Sequence, residues 1–125
     1  MRLLGIGFRA AATCASLQEV LAQVLAQSEG EIGAIVTEAA KAREEVFRGF
    51  AQALGVPGLG ITAAELAQMI TPTQSARIQD RFGTGSLAEA AALAAAGPRA
   101  RLVVSRVVSS DGMATGALAE AEAED

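Results

Sequence analysis

The chain has 125 residues, a net charge of −4, one cysteine and no histidine. No internal disulfide, Ser-His-Asp triad or imidazole-ligated zinc can be built from this set. Four Phe with no Tyr or Trp leave few rings for stacking on bases, and with the acidic balance they argue against a nucleic-acid partner.

The length suits one domain with one core. Much of the 51% apolar fraction is alanine, so a light, helix-rich core is expected. No apolar run approaches the ~18 residues of a membrane span, and the first residues lack the apolar centre of a secretory signal. A cytoplasmic protein without membrane contact is expected, with neither a metal nor a cofactor.

Leu3-Leu4-Gly5-Ile6-Gly7-Phe8 reads as a short buried strand whose glycines admit close approach to the backbone. Arg9 follows at its end. Residues 13–28 predict a helix, with Leu17, Val20, Leu21, Val24 and Leu25 on one face. Thr13 or Ser16 caps it, and Ser16 with Glu19 has capping-box spacing. Cys14 reads as a small helix-start residue. Residues 32–37 form the second strand, followed by a polar connection carrying Lys41. Residues 44–54 predict a second helix, with Val46, Phe47, Phe50 and Leu54 inward and Gly55 as its stop.

Residues 56–61 form a turn feeding a third strand. Thr62 and Glu65 open another helix to about residue 70. Thr71-Pro72-Thr73-Gln74-Ser75 breaks it, and residues 75–82 read as a short helix. The chain is then organised around Gly83-Thr84-Gly85-Ser86 and the helix it opens. Ser86 and Glu89 have capping-box spacing, which accounts for Glu89 without catalysis, and Gly97-Pro98 ends the helix. Residues 101–108 read as a buried strand, Ser109-Ser110-Asp111-Gly112 as a hairpin turn, and 113–118 as the returning strand. The expected fold is a single-domain α/β protein. It has a mostly parallel sheet, helices on both faces and a C-terminal antiparallel hairpin. The domain spans residues 1–119, and 120–125 form an acidic flexible tail.

This order of motifs resembles the CobE family, also found as the C-terminal domain of CbiG, of cobalamin (vitamin B12) biosynthesis. The matching pieces are Gly5-Ile6-Gly7-Phe8-Arg9, Lys41 with Glu44, Thr62-Ala63-Ala64-Glu65-Leu66 and the 71–75 break. Gly85-Ser86-Leu87-Ala88-Glu89-Ala90-Ala91-Ala92-Leu93 is the most telling, and the end hairpin with Arg106 and Thr115 completes the set. Two positions depart: Phe8 stands where the family often has Cys, and Gly116 where it usually has Cys or Val.

The resemblance implies a corrin-pathway protein without supplying a reaction. Corrin intermediates are broad apolar macrocycles fringed with carboxylates, and holding one requires cations and N–H donors around a cleft. In open α/β sheets that cleft lies beyond the carboxyl ends of parallel strands. Gly5, Gly7, Arg9, Lys41, Glu44, Thr84, Gly85, Ser86 and Arg106 are the candidate ligand-binding residues; no catalytic residue is assigned.

The expected role is binding a corrin intermediate as carrier or accessory, beside other cobalamin-biosynthesis enzymes, with a homo-oligomer as a further expectation. Whether the chain is itself an enzyme stays open, a CbiG-like hydrolase being one alternative. Another is a small dinucleotide-binding module, because Gly5 to Ala10 matches G-x-G-x-x-G/A. Glu38, however, lies well beyond the ~20-residue spacing of the ribose-binding acid.

Overall fold

The structure, a computed structural model, describes residues 1–71 and 86–121. Its strands are β1 (Arg2–Phe8), β2 (Ala34–Glu38), β3 (Gly58–Ile61), β4 (Arg101–Val108) and β5 (Ala114–Glu120). The helices are α1 (Cys14–Gln27), α2 (Glu45–Leu54), α3 (Ala63–Ala67) and α4 (Leu87–Ala96), with a 3-10 turn at Lys41–Arg43. The helix expected over 75–82 lies outside the described residues.

The five strands run in the order β3-β2-β1-β5-β4. β1, β2 and β3 are parallel, while β5 is antiparallel to both β1 and β4. The sheet is therefore mixed, with a parallel N-terminal half and the expected hairpin at the end. The returning strand reaches Glu120, which pairs with Arg2 and Arg101 in the ladder. The Glu120 carboxylate also meets the Arg101 guanidinium at 3.1 Å. Thus Glu120, expected in the tail, belongs to the sheet.

Alternation along β1 divides the core. Leu4, Ile6 and Phe8 join Leu17, Val20 and Val24 of α1 and Phe47 and Phe50 of α2 on one face. Leu3 joins Val36, Leu66, Leu87, Ala90 and Ala91 on the other, beneath α3 and α4. Helices cover both faces, as the pattern predicted.

Helix α4 is apolar nearly all round and buried from Leu87 to Ala92, as a helix without a polar face must be. Its alanines let its backbone come down onto β1. A Cβ on Gly5 would lie 1.9 Å from the Ala88 carbonyl oxygen. On the opposite face, a Cβ on Gly116 would lie 2.1 Å from Val20 Cγ1. These two glycines set how closely α4 and α1 approach the sheet.

Local signals set the helix ends. Thr13 caps α1, and Ser16 at N3 closes the box by returning its hydroxyl to the Thr13 amide. Ser16 is therefore not the cap, and Glu19 is not its box partner. Gly55, at φ 72°, ends α2 in the left-handed conformation.

Candidate functional site

The carboxyl ends of β1 and β2 and the start of α4 meet at one edge of the sheet. β4 reaches the same edge, since Val108 pairs with Thr115, which pairs with Gly7. Arg9 leaves β1 here with an exposed side chain, its backbone N–H donating to the Met113 carbonyl at 2.8 Å. Ser86 caps α4, its hydroxyl accepting from the Glu89 amide at 3.3 Å. A Cβ on Gly7 would lie 3.5 Å from Leu87 Cβ, so the helix start stands directly against the end of β1.

Glu89 does more than its position in the helix cap suggested. It is fully buried, and its Oε2 accepts the Arg106 N–H at 2.9 Å. The carboxylate thus ties the first turn of α4 to the middle of β4, which corrects the capping-only account. A signal for this existed: Glu89 is the lone charged residue of an otherwise apolar helix.

The glycines are used internally. The space over Gly5 is filled by the α4 backbone, and a Cβ on Gly7 would lie 2.7 Å from Thr115 Oγ1. Both glycines thus have a packing role within the fold, which accounts for them without a ligand. It also removes the basis of the dinucleotide alternative: Gly5 lies within β1 rather than in a phosphate loop.

Lys41 was expected as a rim cation, but it is only 8% exposed. Glu38 accepts the Ala40 and Lys41 amides and starts the short turn that carries it. The Lys41 ammonium donates to the Phe8 carbonyl at 2.6 Å and lies 4.6 Å from the Phe8 ring centroid. Phe8 in turn stacks on Phe47 at 6.3 Å. Lys41 therefore braces the end of β1 from the α1/α2 face. Glu44 is the exposed N-cap residue of α2, and its side chain makes no cap bond. Ser86 and Arg106 are thus joined through Glu89, Arg9 leaves the strand end beside the start of α4, and Lys41 turns inward. Thr84 and Gly85 lie outside the described residues.

The hairpin tip is fastened to α1 by two carboxylates that the sequence did not single out for this purpose. Asp111 accepts from Ser109 Oγ at 2.5 Å, Ser16 Oγ at 2.6 Å and the Met113 amide at 2.9 Å. The Ser109 and Ser16 hydroxyls, followed by the Met113 amide, hold the Asp111 carboxyl below its ordinary value of 3.8. Glu19 accepts from the Ser110 amide at 2.5 Å and hydroxyl at 2.8 Å. Since Arg9 N–H also bonds to Met113, this clasp fixes the turn beside the strand end.

An apolar groove of about 390 Å³ lies at the opposite end of α4, lined by Met69, Leu93, Ala94, Gly97, Pro98 and Ala100. Its volume is suitable for a ligand, but none of these lining side chains bears a charge to meet a carboxylate.

Fold and edge together describe a small mixed α/β protein with an exposed arginine where the parallel strand β1 ends, beside the start of α4. The chain belongs to the family described as "Cobalamin synthesis G C-terminus", which matches residues 3–119, and so to the proteins of cobalamin biosynthesis. It is similar to the crystal structure of CobE, a protein from the cobalamin (vitamin B12) biosynthetic pathway. The identity is 30% with a TM-score of 0.89, covering 100% of this chain and 93% of that one. It is also similar to cobalamin biosynthesis protein chiG from Agrobacterium tumefaciens str. C58. There the identity is 30% and the TM-score 0.76, over 98% of this chain and 100% of that one. The fold recurs in a putative cobalamin biosynthesis protein G homolog from Sulfolobus solfataricus. At 23% identity and a TM-score of 0.70, it covers 98% of this chain but 37% of that longer one. No curated protein matches.

Proposed function

We propose that this protein binds a carboxylate-fringed corrin intermediate at the edge formed by Arg9, Ser86 and Arg106, and holds it for other enzymes of the pathway. The observation that carries the reading is an exposed arginine, Arg9, at the carboxyl end of the parallel strand β1 and beside the start of α4, whose Glu89 holds the backbone of a second exposed arginine, Arg106 of β4. Arginine suits bidentate contact with carboxylates, and the start of α4 adds a positive dipole end. Thr84 and Gly85, just before the helix, are proposed to contribute backbone donors.

The absence of histidine from the chain favours holding over imidazole-based acid-base chemistry. The test uses cobyrinic acid, a corrin with free carboxylate arms, and cobinamide, whose corresponding arms are mostly amides. The protein is expected to retain cobyrinic acid through a desalting column with its spectrum unchanged, and to retain cobinamide less. Arg9→Ala should weaken cobyrinic acid binding about tenfold without changing the fold. Failure to retain cobyrinic acid, or equal retention of both corrins, overturns the proposal. A chemically altered ligand on release would replace holding with catalysis.

A further inference from the structure

Strand β4 does not follow its partner evenly. Val104 pairs with Leu118 and Val107 with Gly116, so three steps on β4 oppose two on β5. This is a bulge containing Ser105 and Arg106, with one residue more than the ladder can pair. Strict alternation from buried Val104 would turn Arg106 toward the same face. Instead, Ser105 and Arg106 are both exposed, and Val107 is the next buried residue. The bulge thus places a guanidinium outside the core, two residues before the edge that carries Gly7 and Arg9.

A bulge leaves a backbone amide to be satisfied by something other than the ladder. Here the partner is the Glu89 carboxylate, fully buried in the first turn of α4 and 2.9 Å from the Arg106 nitrogen. Burying a carboxylate is costly unless it is well bonded, so a carboxylate placed here acts as a fixed anchor for what it bonds. The carboxylate gains from the helix dipole and connects the two elements that bear Ser86 and Arg106.

We propose that Glu89 is a positioning residue: by clamping the β4 bulge it sets Arg106 to receive one carboxylate arm of the ligand. The inference rests on the corrin-binding reading above and adds a residue-level assignment to it. Arg106 makes the contact, and Glu89 acts on binding through Arg106.

The experiment is a double-mutant cycle on the full chain, with cobyrinic acid as the titrant. Glu89→Ala and Arg106→Ala should each weaken binding about tenfold, and the double variant should bind no more weakly than Arg106→Ala alone. Glu89→Gln keeps the volume and an acceptor oxygen, and should stay within about threefold of the parent protein. It serves should Glu89→Ala fail to fold. Unchanged binding by Arg106→Ala, additive losses in the double variant, or a folded Glu89→Gln protein as weak as Arg106→Ala would each overturn the assignment. In all three cases corrin binding by the parent protein still stands. If the parent protein binds no cobyrinic acid, the functional reading falls and this inference falls with it.

Discussion

Adding one methyl group at Gly5 should loosen the whole site. The new Cβ would lie 1.9 Å from the Ala88 carbonyl oxygen and 2.8 Å from the Ala92 nitrogen, both backbone atoms of α4. No rotamer change can relieve such a contact. Ordinary contact begins at 3.4 Å, so the helix must retreat by about 1.5 Å, which is a large overpacking displacement. A shift of that size would break the 2.9 Å bond from Arg106 to Glu89. Overpacking and the lost charged hydrogen bond together suggest about 3–5 kcal/mol for Gly5→Ala. The corresponding fall in Tm is roughly 10–20 °C, followed by far-ultraviolet circular dichroism.

Two other glycines calibrate the argument. Gly7→Ala meets a movable hydroxyl, Thr115 Oγ1, at 2.7 Å and should cost about 1 kcal/mol. Gly49 lies within α2 with nothing within 4 Å of its Cβ position, so Gly49→Ala should stabilise by about 0.5–1 kcal/mol. A Gly5→Ala protein no less stable than Gly7→Ala would refute the claim that the α4 backbone rests on β1.

Further outcomes follow from the same packing and polar contacts. Gly116→Ala drives a Cβ to 2.1 Å from Val20 Cγ1 and should cost about 1–3 kcal/mol; adding Val20→Ala should recover part of that, and additive losses in a denaturant-melt cycle would contradict the contact. Among the described residues the buried Thr37 hydroxyl has no hydrogen-bond partner, so Thr37→Val should raise stability by about 1 kcal/mol. A loss of stability there would reveal a partner for the hydroxyl. Asp111 has its folded pKa lowered by hydrogen bonds, so its contribution is present above the unfolded value of 3.8 and is lost as pH falls through the lower folded value. Asp111→Asn should therefore narrow its stability deficit against the parent protein as pH drops below 3.8, read as Tm against pH. A deficit independent of pH would rule out the ionic clasp.

Much of the architecture was legible because it is locally encoded. The apolar spacing of α1 and α2, the Gly55 stop, the Thr62 and Ser86 caps and the turn at Ser109 to Gly112 all act within a few residues. The glycines of β1 also signalled a close approach, but not what would approach them. That depends on α4, which lies far along the chain. Thr13 prevailed over Ser16 as the cap of α1 because Asp111 and Ser109 recruit Ser16 and their own turn into one network. Lys41 looked like a rim cation because nothing local showed that Phe8 would offer it both a ring and a carbonyl. Arg106 was legible as a candidate, whereas its bulge and its bond to Glu89 are tertiary facts. The sequence could name the charged residues, but only the packing decides which of them turn outward.

The central claim places a carboxylate-bearing corrin at the Arg9, Ser86 and Arg106 edge. The most direct measurement is a two-dimensional amide NMR titration of the 15N-labelled protein with cobyrinic acid. The account predicts saturable shifts concentrated at Arg9, Ser86, Leu87 and Arg106, with Met69, Leu93 and Ala100 of the distant groove unmoved. Shifts centred on that groove, or no saturable shift at any amide, would contradict it.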